Sequence, residues 1–112
     1  MSDHEFLVLL TYDCNSQHQK VIDFLNSKGF ERKSNRGRDL PRNTLLKKEW
    51  RSLNGNPHPS ERDAYTESDK LSDKYRDMLK DFFNENDIDG HIYVLSAYEY
   101  TCADSVSGKA NW

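Results

Sequence analysis

The feature that most limits the fold of this chain is the segment at residues 5–13, in which apolar side chains occupy both odd and even positions. Phe6 and Val8 alternate with Leu7 and Leu9, so both faces of an extended segment would be apolar. Successive side chains of a strand point to opposite faces of a sheet, and a strand that is apolar on both faces is covered on both. We therefore predict that residues 5–13 form a central strand.

Two helices are predicted from apolar periodicity. Residues 16–19 have a capping-box pattern and precede an apolar helical face that stops at Gly29. The second helix is predicted to be capped by Ser68. Its apolar stripe consists of Leu71, Tyr75, Met78 and Phe82. Residues 52–68 contain Gly, Pro, Asn and Ser without a period, so they predict a long mobile loop.

The remaining segments complete the pattern of an α+β fold. Residues 30–50 predict a hairpin of two strands, and residues 91–100 predict a last strand rich in β-branched and aromatic residues. The order strand, helix, strand, strand, helix, strand is that of the ferredoxin-like βαββαβ fold. We predict one domain over residues 1–112, with its core at 5–100 and a polar tail at 101–112. Right-handed crossovers then give a four-stranded antiparallel sheet of order 4-1-3-2, with both helices on one face.

The other face of that sheet would expose apolar side chains of the first and last strands. Exposed apolar patches mark interaction sites, so we expect a homodimer, with the alternative that the long loop folds back over this face. RNA-recognition domains of this fold carry a basic-Gly-aromatic signature in the third strand, and residues 42–48 lack it. We therefore interpret Tyr93, Tyr98 and Tyr100 as core or dimer-interface residues.

Charge is distributed unevenly along the chain. The net charge is −3, yet residues 31–51 carry eight basic side chains against three acidic ones. Such a local excess of cations can bind a polyanion, although the same charges could also simply keep an exposed hairpin in solution. The residues that we predict to bind nucleic acid are Arg32, Lys33, Arg36, Arg38, Arg42, Lys47 and Lys48.

The predicted topology brings three segments to one end of the sheet: Asp13 at the end of the first strand, the basic turn at residues 36–42, and the start of the last strand at residues 87–91. A strand-end carboxylate can bind Mg²⁺ or Mn²⁺, and neighbouring cations can hold the phosphate on which the metal acts. Asp13 is thus the candidate catalytic residue and metal ligand. The structural alternative is that Asp13 serves as a turn residue or a helix-leading cap.

The cysteines and the apolar runs indicate the compartment. Cys14 and Cys102 fall at opposite ends of two antiparallel strands, which excludes a disulfide bond between them and agrees with a reducing environment. The longest apolar run covers residues 6–10, too short for a membrane span or a signal peptide. We expect a cytoplasmic protein with no membrane partner. His18 and His91 fall near the end of the sheet that holds Asp13, where they could assist proton transfer.

Two short segments resemble known families. Leu10-Thr11-Tyr12-Asp13, a first strand ending in Tyr-Asp, resembles the start of the small CRISPR-associated endonucleases. The stretch at residues 40–44 (Leu-Pro-Arg-Asn-Thr) resembles the corresponding region of the GhoS-type antitoxin endoribonucleases. The resemblance implies a dimeric ferredoxin-like protein in which Asp13 is the metal ligand.

Two functional hypotheses follow. The first is a nucleic-acid-binding protein of the small metal-dependent endoribonuclease type, which binds RNA or DNA through its basic segment, uses Mg²⁺ or Mn²⁺ and has weak or no catalysis. The second is a non-catalytic module that binds a protein partner, such as an antitoxin or a phage-encoded inhibitor of a defence system. Its mixture of an acidic second helix and a basic hairpin suits such a role equally well.

Overall fold

The structure is a computed structural model that describes residues 2–53, 60–99 and 105. Three strands and two helices follow one another along the chain as β1 (Ser2–Cys14), α1 (His18–Ser27), β2 (Thr44–Leu53), α2 (Glu61–Glu85) and β3 (Gly90–Tyr98). Within the described part of the chain, neither helix has the length and apolar composition that a membrane span requires. The predicted polar tail, with Cys102, lies outside the described residues except for Ser105.

The first strand lies in the middle of the sheet, whose strand order is β2-β1-β3. It pairs antiparallel with both neighbours, and Leu9 illustrates the register: it lies opposite Leu46 of β2 and Leu95 of β3. A partner on each side satisfies the backbone hydrogen-bonding groups of β1. The prediction of a central strand is therefore confirmed.

The core lies on one side of this sheet. Phe6, Val8 and Leu10 of β1 are fully buried there. The other buried apolar members of the cluster are Tyr12, Val21, Leu25, Phe30, Leu45, Leu71, Tyr75, Leu79, Phe83 and Ile88. Because α1 and α2 both contribute to this one cluster, both helices cover the same face of the sheet. We refer to the opposite face as the helix-free face.

The predicted four-stranded ferredoxin-like sheet of order 4-1-3-2 is wrong. The sheet has three strands, and the segment predicted as the second strand makes only isolated bridges, Glu31 with Leu46 and Lys33 with Asp39. Residues 32–40, here named the basic turn, close on themselves through backbone hydrogen bonds. Backbone groups that pair inside this turn cannot also pair along β2, so a regular fourth strand does not form. The class remains α+β.

The prediction of a long loop at residues 52–68 is also wrong, because α2 begins at Glu61, much earlier than expected. Residues 54–59 of this segment lie outside the described residues. β2 extends to Leu53, and the hydroxyl of Ser60, rather than that of Ser68, caps the helix by accepting a hydrogen bond from the Asp63 N–H at 3.1 Å. The first turns of α2 have no apolar stripe, and their one aromatic residue, Tyr65, is exposed. Periodicity therefore could not reveal them.

Both helices end in the same backbone arrangement. At the end of α1, Gly29 and Phe30 donate to carbonyl groups of the last helical turn at 3.1 and 3.0 Å, which is the Schellman motif. The predicted stop at Gly29 is thus confirmed, whereas the predicted capping box is wrong, because Gln17 precedes the helix with no side-chain cap. At the end of α2, Ile88 donates to Phe83 at 2.9 Å in the equivalent place.

The second of these motifs uses a residue that is not glycine. Asp87 has a φ of 55°, in the left-handed region that costs an L-residue about 1 kcal/mol. We therefore expect Asp87→Gly to raise the free energy of unfolding by about 0.5–1 kcal/mol, measured from the midpoint of urea unfolding. The matched control is Asp81→Gly in the exposed interior of α2, which should lower it by about 1 kcal/mol. A loss of stability in Asp87→Gly would contradict the assigned conformation.

Candidate functional site

Asp13 lies near the exposed end of β1, opposite His91 of β3. Its Oδ1 accepts a hydrogen bond from the backbone N–H of His91 at 2.8 Å, and the Nδ1 atom of the His91 ring lies 3.1 Å from the same oxygen. The backbone hydrogen bond, followed by that of the ring, lowers the pKa of Asp13 below its ordinary value. Asp13 is therefore an ionised carboxylate whose position is fixed by β3. The predicted meeting of the first and last strands at this end is confirmed.

The side chains around Asp13 decide whether it can share a metal ion with other ligands. Among the described residues, no group of three or more His, Cys, Asp or Glu side chains lies close enough to hold a metal ion. Mg²⁺ and Mn²⁺ are bound mainly by oxygen atoms in sites with several ligands, whereas the hydrogen bonds described for the Asp13 carboxylate come from His91. Metal binding by Asp13 therefore stays a prediction.

The basic turn does not reach Asp13. Asn35, near its tip, donates to the carboxylate of Glu99 at 3.4 Å. Glu99 directly follows β3, whose last residue, Tyr98, pairs with Phe6. Asp13 lies seven positions further along β1, which is about 20 Å at the rise of a strand. The shared rim predicted for Asp13 and residues 36–42 is therefore wrong for the tip of the turn, which folds back on itself instead of extending as a hairpin past the end of the sheet. Of that segment, Arg42 lies near the end of β1.

Two of the predicted nucleic-acid-binding residues lie toward the Asp13 end or the helix side of the sheet. Arg42 immediately precedes Asn43, whose carbonyl accepts from the Tyr12 N–H at 3.2 Å, so this cation is the one that lies near the end of β1. Lys47 is half-buried on the helix side: its Nζ donates to the Lys28 carbonyl at 2.8 Å. Lys47 is thus held by the fold rather than presented to a ligand.

The other five predicted residues border the basic turn and the helix-free face. The Lys33 side chain forms an ion pair with Asp39, and the Nε atom of Arg32 donates to the Leu40 carbonyl at 3.1 Å. The three remaining cations are exposed and have no acidic partner among the described residues: Arg36, Arg38 and Lys48. These three are available for an external anion.

The helix-free face carries exposed apolar and aromatic side chains. Tyr93 is 57% exposed and Leu95 is 49% exposed, and the register places both on the opposite side of the sheet from the core. Trp50, on the same face of β2, is 62% exposed. Leu7 points to the same face but is only 5% exposed. It lies on the half of the face that Asn35 of the basic turn crosses to reach Glu99, next to β3. Tyr93 and Leu95 therefore lie on the half nearer Asp13, whereas Trp50, which pairs with Glu5, lies toward the other end of the sheet.

A groove runs along the border between the basic turn and this face. It has a volume of about 540 Å³ and is lined by residues of the turn together with Leu46 and Lys48 of β2. Tyr93 and His91 are two positions apart on β3, so they lie next to each other on one face. On this face, the exposed side chains of Leu95, Tyr93 and His91 therefore follow one another along β3 toward Asp13.

The three tyrosines that we interpret as core or dimer-interface residues differ in their surroundings. Tyr98 packs against the Phe6 ring, with 5.5 Å between centroids, as expected of a core residue, whereas Tyr93 is exposed and Tyr100 lies outside the described residues. Trp50 was not singled out. The available signal was the alternation in β2, because Leu45 in the core implies that Trp50 faces the other way.

Comparisons of this chain with protein families, curated proteins and solved structures find no match. The resemblance of residues 10–13 to the CRISPR-associated endonucleases therefore stays a prediction. Any functional assignment rests on the chain's own residues.

Proposed function

We propose that this protein binds single-stranded nucleic acid on the helix-free face of its sheet. The observation that carries the proposal is that exposed Tyr93 and Leu95 share the helix-free face with Lys48 and lie on the face that the basic turn borders. Like Lys48, Arg36 and Arg38 of that turn have no acidic partner among the described residues. Bases of a single strand stack on aromatic rings, while cations alongside neutralise the phosphates. A duplex keeps its bases stacked inside, so an aromatic surface of this kind favours an unpaired strand.

The arrangement of the face supports a path for the strand. Lys48 lines the groove, and Arg36 and Arg38 belong to the turn that borders it, so these cations would hold phosphates of a strand that follows the groove. Tyr93 would stack a base on the half of the face nearer Asp13. A strand that continued in the same direction would pass His91 and Asp13. The overall charge of −3 does not oppose this, because the cations are concentrated at one place.

Loss of the Tyr93 ring is expected to weaken binding of a fluorescent oligouridine by about tenfold, since stacking of one base contributes roughly 1–3 kcal/mol. Fluorescence anisotropy with the purified full-length chain measures the dissociation constant of Tyr93→Ala. The matched control is Tyr65→Ala, which removes an equally exposed ring from α2 and should leave the affinity unchanged. Equal affinities of the two variants would contradict the proposed face.

The cations give a second readout in the same assay. Between about 50 and about 200 mM salt, affinity should fall steeply, and the triple variant Arg36→Ala, Arg38→Ala, Lys48→Ala should bind more weakly with a shallower salt slope. A control triple variant removes the same charge from exposed cations of the helices: Lys20→Ala, Arg62→Ala and Lys80→Ala. If both variants change the slope equally, binding is non-specific attraction rather than binding at this face.

Cleavage is a separate part of the proposal and rests on Asp13. If RNA is cut in the presence of Mg²⁺ or Mn²⁺, the rate should fall by about a hundredfold or more in Asp13→Asn, while the affinity for oligouridine is retained. Gel analysis of a labelled RNA, with and without a chelator, measures this. Cleavage that survives both the chelator and the substitution would exclude Asp13 as the metal-binding catalytic residue.

The hypothesis of a protein-binding module predicts the opposite result in these assays. It requires the same exposed residues to pack on a protein surface or on a second copy of the chain. A chain that sediments as a stable dimer and does not bind oligouridine, while Tyr93→Ala makes it monomeric, would favour that hypothesis.

A further inference from the structure

A second group of reactive side chains lies on the helix side of the sheet, where β1 leads into α1. The Sγ atom of Cys14 lies 3.4 Å from the Nδ1 atom of His18, the first residue of α1. The intervening turn brings the two together, with Gln17 in the left-handed region at a φ of 61°. Cys14 is partly buried and belongs to no disulfide among the described residues. With its proton on Nε2, the His18 ring can accept the thiol proton.

The hydroxyl group of Tyr12 completes this group. Tyr12 is 4% exposed, and its buried hydroxyl has no hydrogen-bond partner among the described residues. An unsatisfied buried hydroxyl costs about 1–3 kcal/mol, so its retention requires an explanation. Tyr12 and Cys14 are two positions apart on β1 and point to the same side, and the Tyr12 ring lies 6.5 Å from that of His18.

Burial raises the pKa of Tyr12, Cys14 raises it further, and Arg42 lowers it. Asp13 and His91 pair with each other beside this corner, at the start of β3, and Asp89, whose backbone pairs with Asn15, is a further titratable residue at this end of the sheet.

We propose that Cys14 is a redox-reactive thiol that hydrogen peroxide oxidises to a sulfenic acid. His18 Nδ1 takes the thiol proton, and the thiolate sulfur attacks one peroxide oxygen, forming the S–O bond as the O–O bond breaks. The hydroxide that leaves takes the proton from His18 and departs as water. The sulfur is oxidised by two electrons and the peroxide is reduced, so thiol and peroxide give sulfenic acid and water.

The surroundings of Cys14 suit each part of this step. The Nδ1 atom of His18, the first residue of α1, lies 3.4 Å from the sulfur, which is close enough for it to take the thiol proton. The unsatisfied Tyr12 hydroxyl can donate to the new oxygen on sulfur, which would protect the sulfenic acid from further oxidation. The partial burial of Cys14 allows access to a small oxidant.

The test uses the full chain carrying Cys102→Ser, so that Cys14 is the single cysteine. The protein is treated with hydrogen peroxide, the sulfenic acid is trapped with dimedone, and the adduct is followed by intact mass. We expect Cys14 to react about tenfold or more faster than N-acetylcysteine, and His18→Asn to reduce the rate by about tenfold. Gln19→Ala, one residue further on α1, should leave the rate unchanged.

A third variant tests the hydroxyl group. Tyr12→Phe retains the buried ring, so peroxide should oxidise its Cys14 thiol at a rate similar to that of the chain with Tyr12. Compared with that chain, the variant should give less trapped sulfenic acid and more sulfinic acid. Circular dichroism establishes that each variant is folded. A Cys14 rate equal to that of N-acetylcysteine and unaffected by His18→Asn would overturn the proposal. Unchanged product ratios in Tyr12→Phe would overturn the role of Tyr12.

Discussion

Gly90→Ala is expected to lower the free energy of unfolding by about 3 kcal/mol, at the upper end of the usual range for single substitutions. A Cβ atom at position 90 would lie 2.0 Å from the carbonyl oxygen of Asp13 and 2.9 Å from the Cα atom of Cys14. Both are backbone atoms of β1, which cannot move aside as a flexible side chain can. The two strands would have to separate at this end of the sheet.

The separation would also break the contacts that join β1 to β3 there. Asn15 donates its backbone N–H to the Asp89 carbonyl at 2.9 Å, and its side-chain oxygen accepts the Asp89 N–H at 3.1 Å. Urea unfolding followed by circular dichroism measures the loss of stability. The control is Gly37→Ala, with no atom within 4 Å but a φ of 81°, which should cost only about 1 kcal/mol. Equal losses for Gly90→Ala and Gly37→Ala would contradict this close approach of the strands.

Phe30→Ala is expected to cost about 3–4 kcal/mol, because Phe30 is fully buried and its removal leaves a cavity. The ring meets Tyr75 of α2 edge-on, with 5.0 Å between centroids. The Nζ atom of Lys47 lies over the Phe30 ring, 6.0 Å from its centroid. Phe30 is also the residue that closes the Schellman motif of α1. Its loss should therefore loosen the basic turn as well as the core.

Phe24→Ala is the matched control for this substitution. Phe24 is half-buried and stacks on Phe82 with 4.0 Å between centroids, so its removal should cost about 1–2 kcal/mol. Hydrogen exchange in the basic turn should be faster in Phe30→Ala than in Phe24→Ala at equal distance from the unfolding midpoint. If both variants exchange alike, Phe30 does not anchor the turn.

The parts of the fold that the sequence could predict are those with strong periodicity. The two-sided apolar pattern of β1 identified the central strand, and the stripe of Leu71 and Tyr75 identified α2. The predicted second strand failed because strand-like composition does not reveal where backbone groups find partners. Lys33 and Asp39 close a local turn, and that turn competes with pairing along β2.

The candidate site was predictable in part for the same reason. That Asp13 meets the start of the last strand follows from antiparallel pairing, and the structure places it opposite His91. The position of Arg36 and Arg38 depends on how the basic turn folds back, which no pattern in the sequence specifies. The exposure of Tyr93 depends on which face the helices cover, and its interpretation as a core or dimer-interface residue leaves both burial and exposure open.

The division of the sheet into a helix-covered side and a helix-free side has a consequence for how such a chain can evolve. Folding depends on the side chains that point toward the helices, whereas Tyr93, Leu95 and Trp50 contribute little to the core. Mutations at these three positions can therefore accumulate without loss of the native state. Descendants of this chain can therefore vary the chemistry of the helix-free face while inheriting the same scaffold.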